Sequence, residues 1–158
     1  MDPRVNESAY LLSVLTEEAS EVVKEICIGV NLSSKEVNDF YQESFELIAV
    51  ADMLRDMDIL DNDLDFVSIR NISELNLELL NLMYFVSKSI RFSLNDKHPE
   101  LKETNKIYLS KIILAIEEFI IKNSSFSLSI IDSIKRGKIE KVKKYMKYSE
   151  EIGTLIKI

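Results

Sequence analysis

Turn-forming residues are scarce in this chain. Its 158 residues include three glycines and two prolines, too few for a strand-rich fold, so long helices are expected. Cys27 is the only cysteine, which excludes an internal disulfide and a cysteine-based metal site. It also fits a reducing compartment. His98 is the only histidine, so neither a histidine-based metal site nor a Ser-His-Asp mechanism is available. No glycine-rich phosphate loop occurs. The longest apolar runs, such as Leu82–Val86 and Ile112–Ile116, are far too short to span a bilayer. The opening residues Met1–Glu7 lack the apolar core of a signal peptide. A cytoplasmic protein that does not engage a membrane is the expectation.

Positive charge is the other shortage. Twenty Lys and Arg face 27 Asp and Glu, a net charge of −7, with a pI of about 4.9. Phosphate neutralisation drives sequence-independent nucleic-acid binding, so no nucleic-acid partner is expected. A phosphorylated small molecule stays compatible with the acidic chain if metal ions mediate the contact.

What is present is helical periodicity in a chain that is 46% hydrophobic. One all-α domain is expected, an antiparallel bundle of four main helices plus a C-terminal helical segment. The first helix should run from Asn6 to Ile28 and stop at Gly29 and Asn31. Ser33 with Glu36 has the form of a capping box, placing a second helix from Ser34 to about Leu60. These two form a hairpin, residues 6–60. Asp61–Asp65 is a solvated break that lacks the glycine and terminal glutamate of a calcium loop. Asn71 with Glu74 repeats the capping form and opens a third helix ending near Phe92. After a loop at Asn95–Glu100, a fourth helix covers Pro99–Lys122; together residues 71–122 elaborate the hairpin. In the tail, residues 125–158, a short helix at Leu128–Arg136 is punctuated by Gly137. A last helix, Lys138–Glu151, is closed by Gly153.

The chemistry concentrates in the hairpin. An α-helix turns about 100° per residue. With Glu18 at the origin, Leu11, Leu15 and Val22 lie within about 60° on one side and Val14 about 40° on the other. Glu18 therefore sits inside the apolar arc, with Glu21 at its edge. On the second helix Glu43 falls among Leu47, Val50 and Leu54, and Glu46 lies about 60° aside. Each helix thus carries a Glu pair at i, i+3 whose first member points inwards. A lone pair of this kind reaches solvent at the helix margin. Two pairs in matching positions bring like charges together, and burial and repulsion both raise carboxylate pKa values. A hard divalent cation relieves that, and magnesium suits best, since it takes a few carboxylates and leaves positions for substrate phosphates.

At these residues the sequence resembles the MazG-like all-α nucleotide pyrophosphohydrolases. The family signature is EExxE, a variable spacer, then ExxD on the next helix. Glu17-Glu18-Ala19-Ser20-Glu21, within LLSVLTEEASEVV, matches the first half. After a spacer of 21 residues, Glu43-Ser44-Phe45-Glu46 matches the second, with Glu46 where Asp is usual. The tail Lys141–Ser149, with Gly153 and Leu155, resembles the end of phage- and prophage-type members. The resemblance covers about residues 11–60 and 138–155.

It implies hydrolysis of a nucleoside triphosphate to the monophosphate and pyrophosphate, with Mg2+ as cofactor and Mn2+ as a substitute. Glu18, Glu21, Glu43 and Glu46 would be the metal ligands, and Glu17 a further ligand or the support of the attacking water. Glu17 and Glu18 are accordingly the catalytic candidates. A homodimer or homotetramer is implied as well. Asp52 lies on the opposite side of its helix from Glu43 and makes a poor substitute ligand. The alternative is a non-catalytic dimerisation, interaction or nucleotide-binding module that kept the fold.

Seven basic residues and one acid lie between Lys135 and Lys147, a local reversal of the chain's charge. Lys138 and Lys141 there, and Lys24 one turn after Glu21, are substrate-binding candidates, set against a solvated helix face. Cys27, and Tyr84, Phe85 and Phe92 of the third helix, read as core.

Overall fold

Each helix begins and ends for a local reason. In the computed structural model, which describes residues 5–29, 34–94 and 99–156, Asn6 caps α1 (Glu7–Ile28) by accepting a 2.8 Å bond from Ala9 N. Gly29, with φ 100°, closes it by donating to the Ile26 carbonyl. Helix α2 (Ser34–Asp56) ends in a left-handed cap. Asp58 at φ 62° donates to Arg55 O, and Ile59 N donates back to Leu54 O. That cap stops α2 before the expected Leu60 and turns Leu60 into the core on its own. Helix α3 (Ile72–Leu94) is capped by Asn71, whose Oδ1 accepts from Glu74 N at 2.9 Å. The Glu74 carboxylate accepts from Arg70 N rather than completing the box on Asn71. Helix α4 spans Pro99–Asn123, and α5 spans Leu128–Glu151 with Ser127 as its cap. The Ser33 capping position and the Asn95–His98 loop lie outside the described residues.

Helix α1 packs between α2 and α3, α4 covers α3 and touches α2, and α5 lies on α2. Leu11, Leu12, Leu15, Phe45, Leu54, Leu75, Leu79, Leu82, Ile116 and Ile120 are all buried in one shared cluster. Helices α3 and α4 therefore share one core with the hairpin. Two-residue strands, β1 (Val5–Asn6) and β2 (Leu155–Ile156), pair in parallel and bring the start of α1 beside the end of α5. Among the described residues no helix is long and apolar enough to cross a membrane.

The all-α expectation holds, with corrections. The C-terminal segment is one continuous 24-residue helix rather than two. Gly137 does not break it, because an isolated glycine in a helix only weakens it. A Cβ there would meet nothing within 4 Å. Gly137→Ala is therefore expected to stabilise the fold by about 0.5–1 kcal/mol, read as a rise in urea midpoint at unchanged slope. Cys27 is exposed rather than core: it lies in the last turn of α1, two residues before the Gly29 cap, where Ile28 beside it is exposed as well. Tyr84 is 56% exposed, lying edge-on to Phe85 under the Lys88 ammonium, while Phe85 packs partly against the core. The Phe92 side chain lies outside the described residues.

Candidate metal centre

The α1–α2 pairing places the two Glu pairs opposite each other. Glu18 sits among Leu11, Leu15 and Val22, so packing that stripe against α2 buries the carboxylate with it; it is 1% exposed. Glu43 rides on the turn before Leu47, and Ser44 beside it is buried by bonding its hydroxyl to Phe40 O at 2.7 Å. One carboxylate oxygen from each of Glu18, Glu21, Glu43 and Glu46 lies within 4.8 Å of the others. The longer side chain of Glu46 thus reaches the same point as its three neighbours.

The electrostatics of the cluster are unfavourable as they stand. Burial pushes the Glu43 carboxyl up to about 9, and the hydrogen bond and charge of Glu21, with those of Glu46, push the same way. Burial likewise lifts Glu18 to about 7; Lys138 opposes the shift, while Glu21 and Glu46 add to it. Oε2 of both Glu18 and Glu43 is buried with no hydrogen-bond partner. Four hard oxygen donors around one point, two of them with a buried oxygen unpartnered, fit a divalent cation of the magnesium type. Orphaned buried acceptors of this kind are rare without a reason.

One cation does reach the cluster. Lys138 of α5 bonds its ammonium to Glu18 Oε1, with its side chain 12% exposed. Burial alone would lower the lysine's pKa; Glu18, Glu46 and Glu21 outweigh it and hold the group raised. Helix α5 packs on α2 and not on α1, so a cleft of about 550 Å³ stays open between α1 and α5. Glu17, Glu18, Glu21, Glu43, Glu46, Lys138 and Lys141 all line it. Lys24 is exposed one turn past Glu21 and outside this lining. Asp52 pairs instead with Arg55 at 3.0 Å and Lys135 at 2.6 Å, away from the cluster.

Four lining residues escaped the sequence reading: Tyr10, Val14, Val142 and Tyr145. Their signal is helical phase. Tyr10 and Val14 precede Glu18 by two turns and one turn, and Val142 and Tyr145 follow Lys138 by one turn and two. Because the β1–β2 pairing sets the start of α1 beside the end of α5, both tyrosines stand at one end of the cleft. The carboxylates stand at the other, about 10–12 Å away by helical rise. The cleft has a charged end and an aromatic end.

Comparison of the chain with protein-family models, curated proteins and solved structures gives no match.

Proposed function

We propose that this protein is a magnesium-dependent nucleoside triphosphate pyrophosphohydrolase, the activity that its resemblance to MazG-like enzymes implies. The observation that carries the reading is the meeting of Glu18, Glu21, Glu43 and Glu46 within 4.8 Å. When bound there, magnesium polarises phosphoryl oxygens, neutralises developing charge and lowers the pKa of an attacking water. Those four carboxylates hold the ion. Glu17, exposed at the lip of the cleft, orients the water and takes up its proton. Lys141 meets the phosphate chain from the α5 side. Val14 and Val142 keep the middle of the cleft dry, and Tyr10 and Tyr145 receive the base at the far end. That aromatic end favours a nucleotide over inorganic polyphosphate as substrate.

The test is a panel of dNTPs and NTPs with magnesium, assayed for pyrophosphate, with Glu18→Gln as control. Release by the wild type and its loss in the variant is the expected result. No release from any nucleotide, together with no magnesium-dependent thermal shift, overturns the reading in favour of a non-catalytic module. Tyr145→Ala is expected to raise KM about tenfold with little change in kcat, because stacking a base on an aromatic ring is worth about 1–3 kcal/mol. Equal KM values for the two proteins would remove Tyr145 from the base site.

A further inference from the structure

Lys138 occupies ground that a metal ion would need. Its ammonium bonds Glu18 Oε1, and Glu18 shares one 4.8 Å cluster with Glu21, Glu43 and Glu46. The lysine comes from α5, a helix that leans on α2 and leaves α1 across an open cleft, so this ion pair ties α5 to α1. We infer that Lys138 is a built-in counter-ion that competes with the divalent cation for the glutamate cluster, so that metal loading expels its ammonium into the cleft and breaks the ion pair that joins the middle of α5 to α1, leaving the β1–β2 pairing at their ends in place. This rests on the metal site proposed above and concerns how that site is regulated.

The argument is geometric. An ammonium on Glu18 Oε1 blocks that oxygen from a metal. If the ion took the unpartnered Oε2 instead, a lysine on the other oxygen of the same carboxylate would still stand a few ångströms from a double positive charge, and like charges at that range repel strongly. Either way the two cations exclude each other. Without metal, the lysine is the only cation bonded to these four carboxylates among the described residues, which is why it is held there. Once expelled it stays in the cleft, on the same face as Lys141 one turn away, where a phosphate chain is its next partner. Metal then substrate becomes the favoured order of binding, since the ion that creates the site also delivers a second lysine to the phosphates.

The experiment is a Mn2+ titration of the full chain without nucleotide, with free ion counted by its electron paramagnetic resonance signal. It compares wild type with Lys138→Met, Lys138→Arg and Lys144→Ala. Lys144 is exposed on α5 and does not line the cleft, so Lys144→Ala removes the same charge from the same helix. Lys138→Met is expected to bind Mn2+ about tenfold tighter or better, a change of about 1.4 kcal/mol. Lys138→Arg keeps a cation at the site and should stay near wild type, as should Lys144→Ala. Melting in EDTA supplies the second readout: Lys138→Met should melt below wild type without metal and gain more from Mn2+. Equal or weaker Mn2+ binding by Lys138→Met, with the wild type binding normally, overturns the competition and leaves the metal site standing. No Mn2+ binding by any of the proteins overturns the metal site itself and the competition with it.

Discussion

Glu43→Gln is expected to abolish pyrophosphate release while making the metal-free protein more stable at alkaline pH. The loss should be at least about a hundredfold, since even the outer partners of a metal ligand cost about 10- to 100-fold when removed. The gain in stability follows from the same carboxylate. Its folded pKa is about 9 against an ordinary 4.5, raised by burial and by Glu21 and Glu46. Between those values the folded protein keeps a proton that the unfolded chain has released. The stabilisation from that proton is complete below about pH 4.5 and is lost as pH rises through 9. Glu18, lifted to about 7 chiefly by burial, adds a loss of the same sign over a narrower window. The melting temperature of metal-free wild type should therefore fall from mildly acidic to alkaline pH. The Gln variant, which never ionises at this position, should fall less. Magnesium needs the ionised carboxylates, so its stabilising effect on the wild type should grow with pH. Melts across that range with and without magnesium measure all three trends. A metal-free wild-type melting temperature that is flat or rises with pH would contradict the account.

That combination separates a functional carboxylate from a structural one. A glutamate kept for packing or for an ion pair would destabilise the fold when neutralised. Here Lys138 is bonded to Glu18, not to Glu43, and Glu43 has an unpartnered buried oxygen. Loss of activity with a gain in stability would thus identify strain held at the site for its chemistry.

The part of this site that was legible in the sequence is the part governed by helical phase alone. Glu18 and Glu43 could be placed on buried arcs because a rotation of about 100° per residue fixes a side chain's direction relative to Leu15 or Leu47. Glu21 and Glu46 followed one turn on, and all four converge. What phase cannot give is which helix lies against which. That α5 would rest on α2 and aim Lys138 at Glu18 depends on packing between segments far apart in the sequence. The ion pair, and the aromatic end made by Tyr10 with Tyr145, were invisible for that reason. Gly137 and Cys27 were misread for local reasons. A glycine without neighbours does not end a helix whose caps lie elsewhere, at Ser127 and at Ile152, with Gly153 turning left-handed just beyond. An apolar phase means little where the helix itself is closed two residues later by Gly29, and Cys27 and Ile28 are both exposed there. The Asp58 cap that shortens α2 has no glycine to announce it, since an aspartate takes the left-handed position instead.

The second large effect belongs to Arg55, on the far side of α2 from the carboxylates. Arg55→Ala is expected to destabilise the protein by about 3–5 kcal/mol, the usual result of stripping one partner from a buried ion pair. For a chain of this length that is a drop in Tm of about 10 °C or more. Arg55 Nη1 holds Asp52 at 3.0 Å and Glu117 of α4 at 2.5 Å, and Lys135 of α5 closes the network on Asp52 at 2.6 Å. Three helices meet in one network, α4 through Glu117 on the guanidinium and α5 through Lys135 on Asp52. Glu117 is the group at risk: burial already raises its pKa against the pull of Arg55 and, more weakly, of Lys135, and without Arg55 a carboxylate with no bonded cation is left between α2 and α4. Arg55 Nε and Nη2 are themselves buried without partners, so the network is not an optimised one. That detail sets up the discriminating experiment. Replacing both partners, Arg55→Met with Glu117→Leu, removes the charges together with the desolvation they carry, and should recover most of the stability lost in Arg55→Ala. The magnesium affinity of the double variant should match wild type, because neither residue lines the glutamate cleft. If the double variant is as unstable as Arg55→Ala, the three helices are held by the specific geometry of the ion pairs rather than by the avoidance of a bare buried charge.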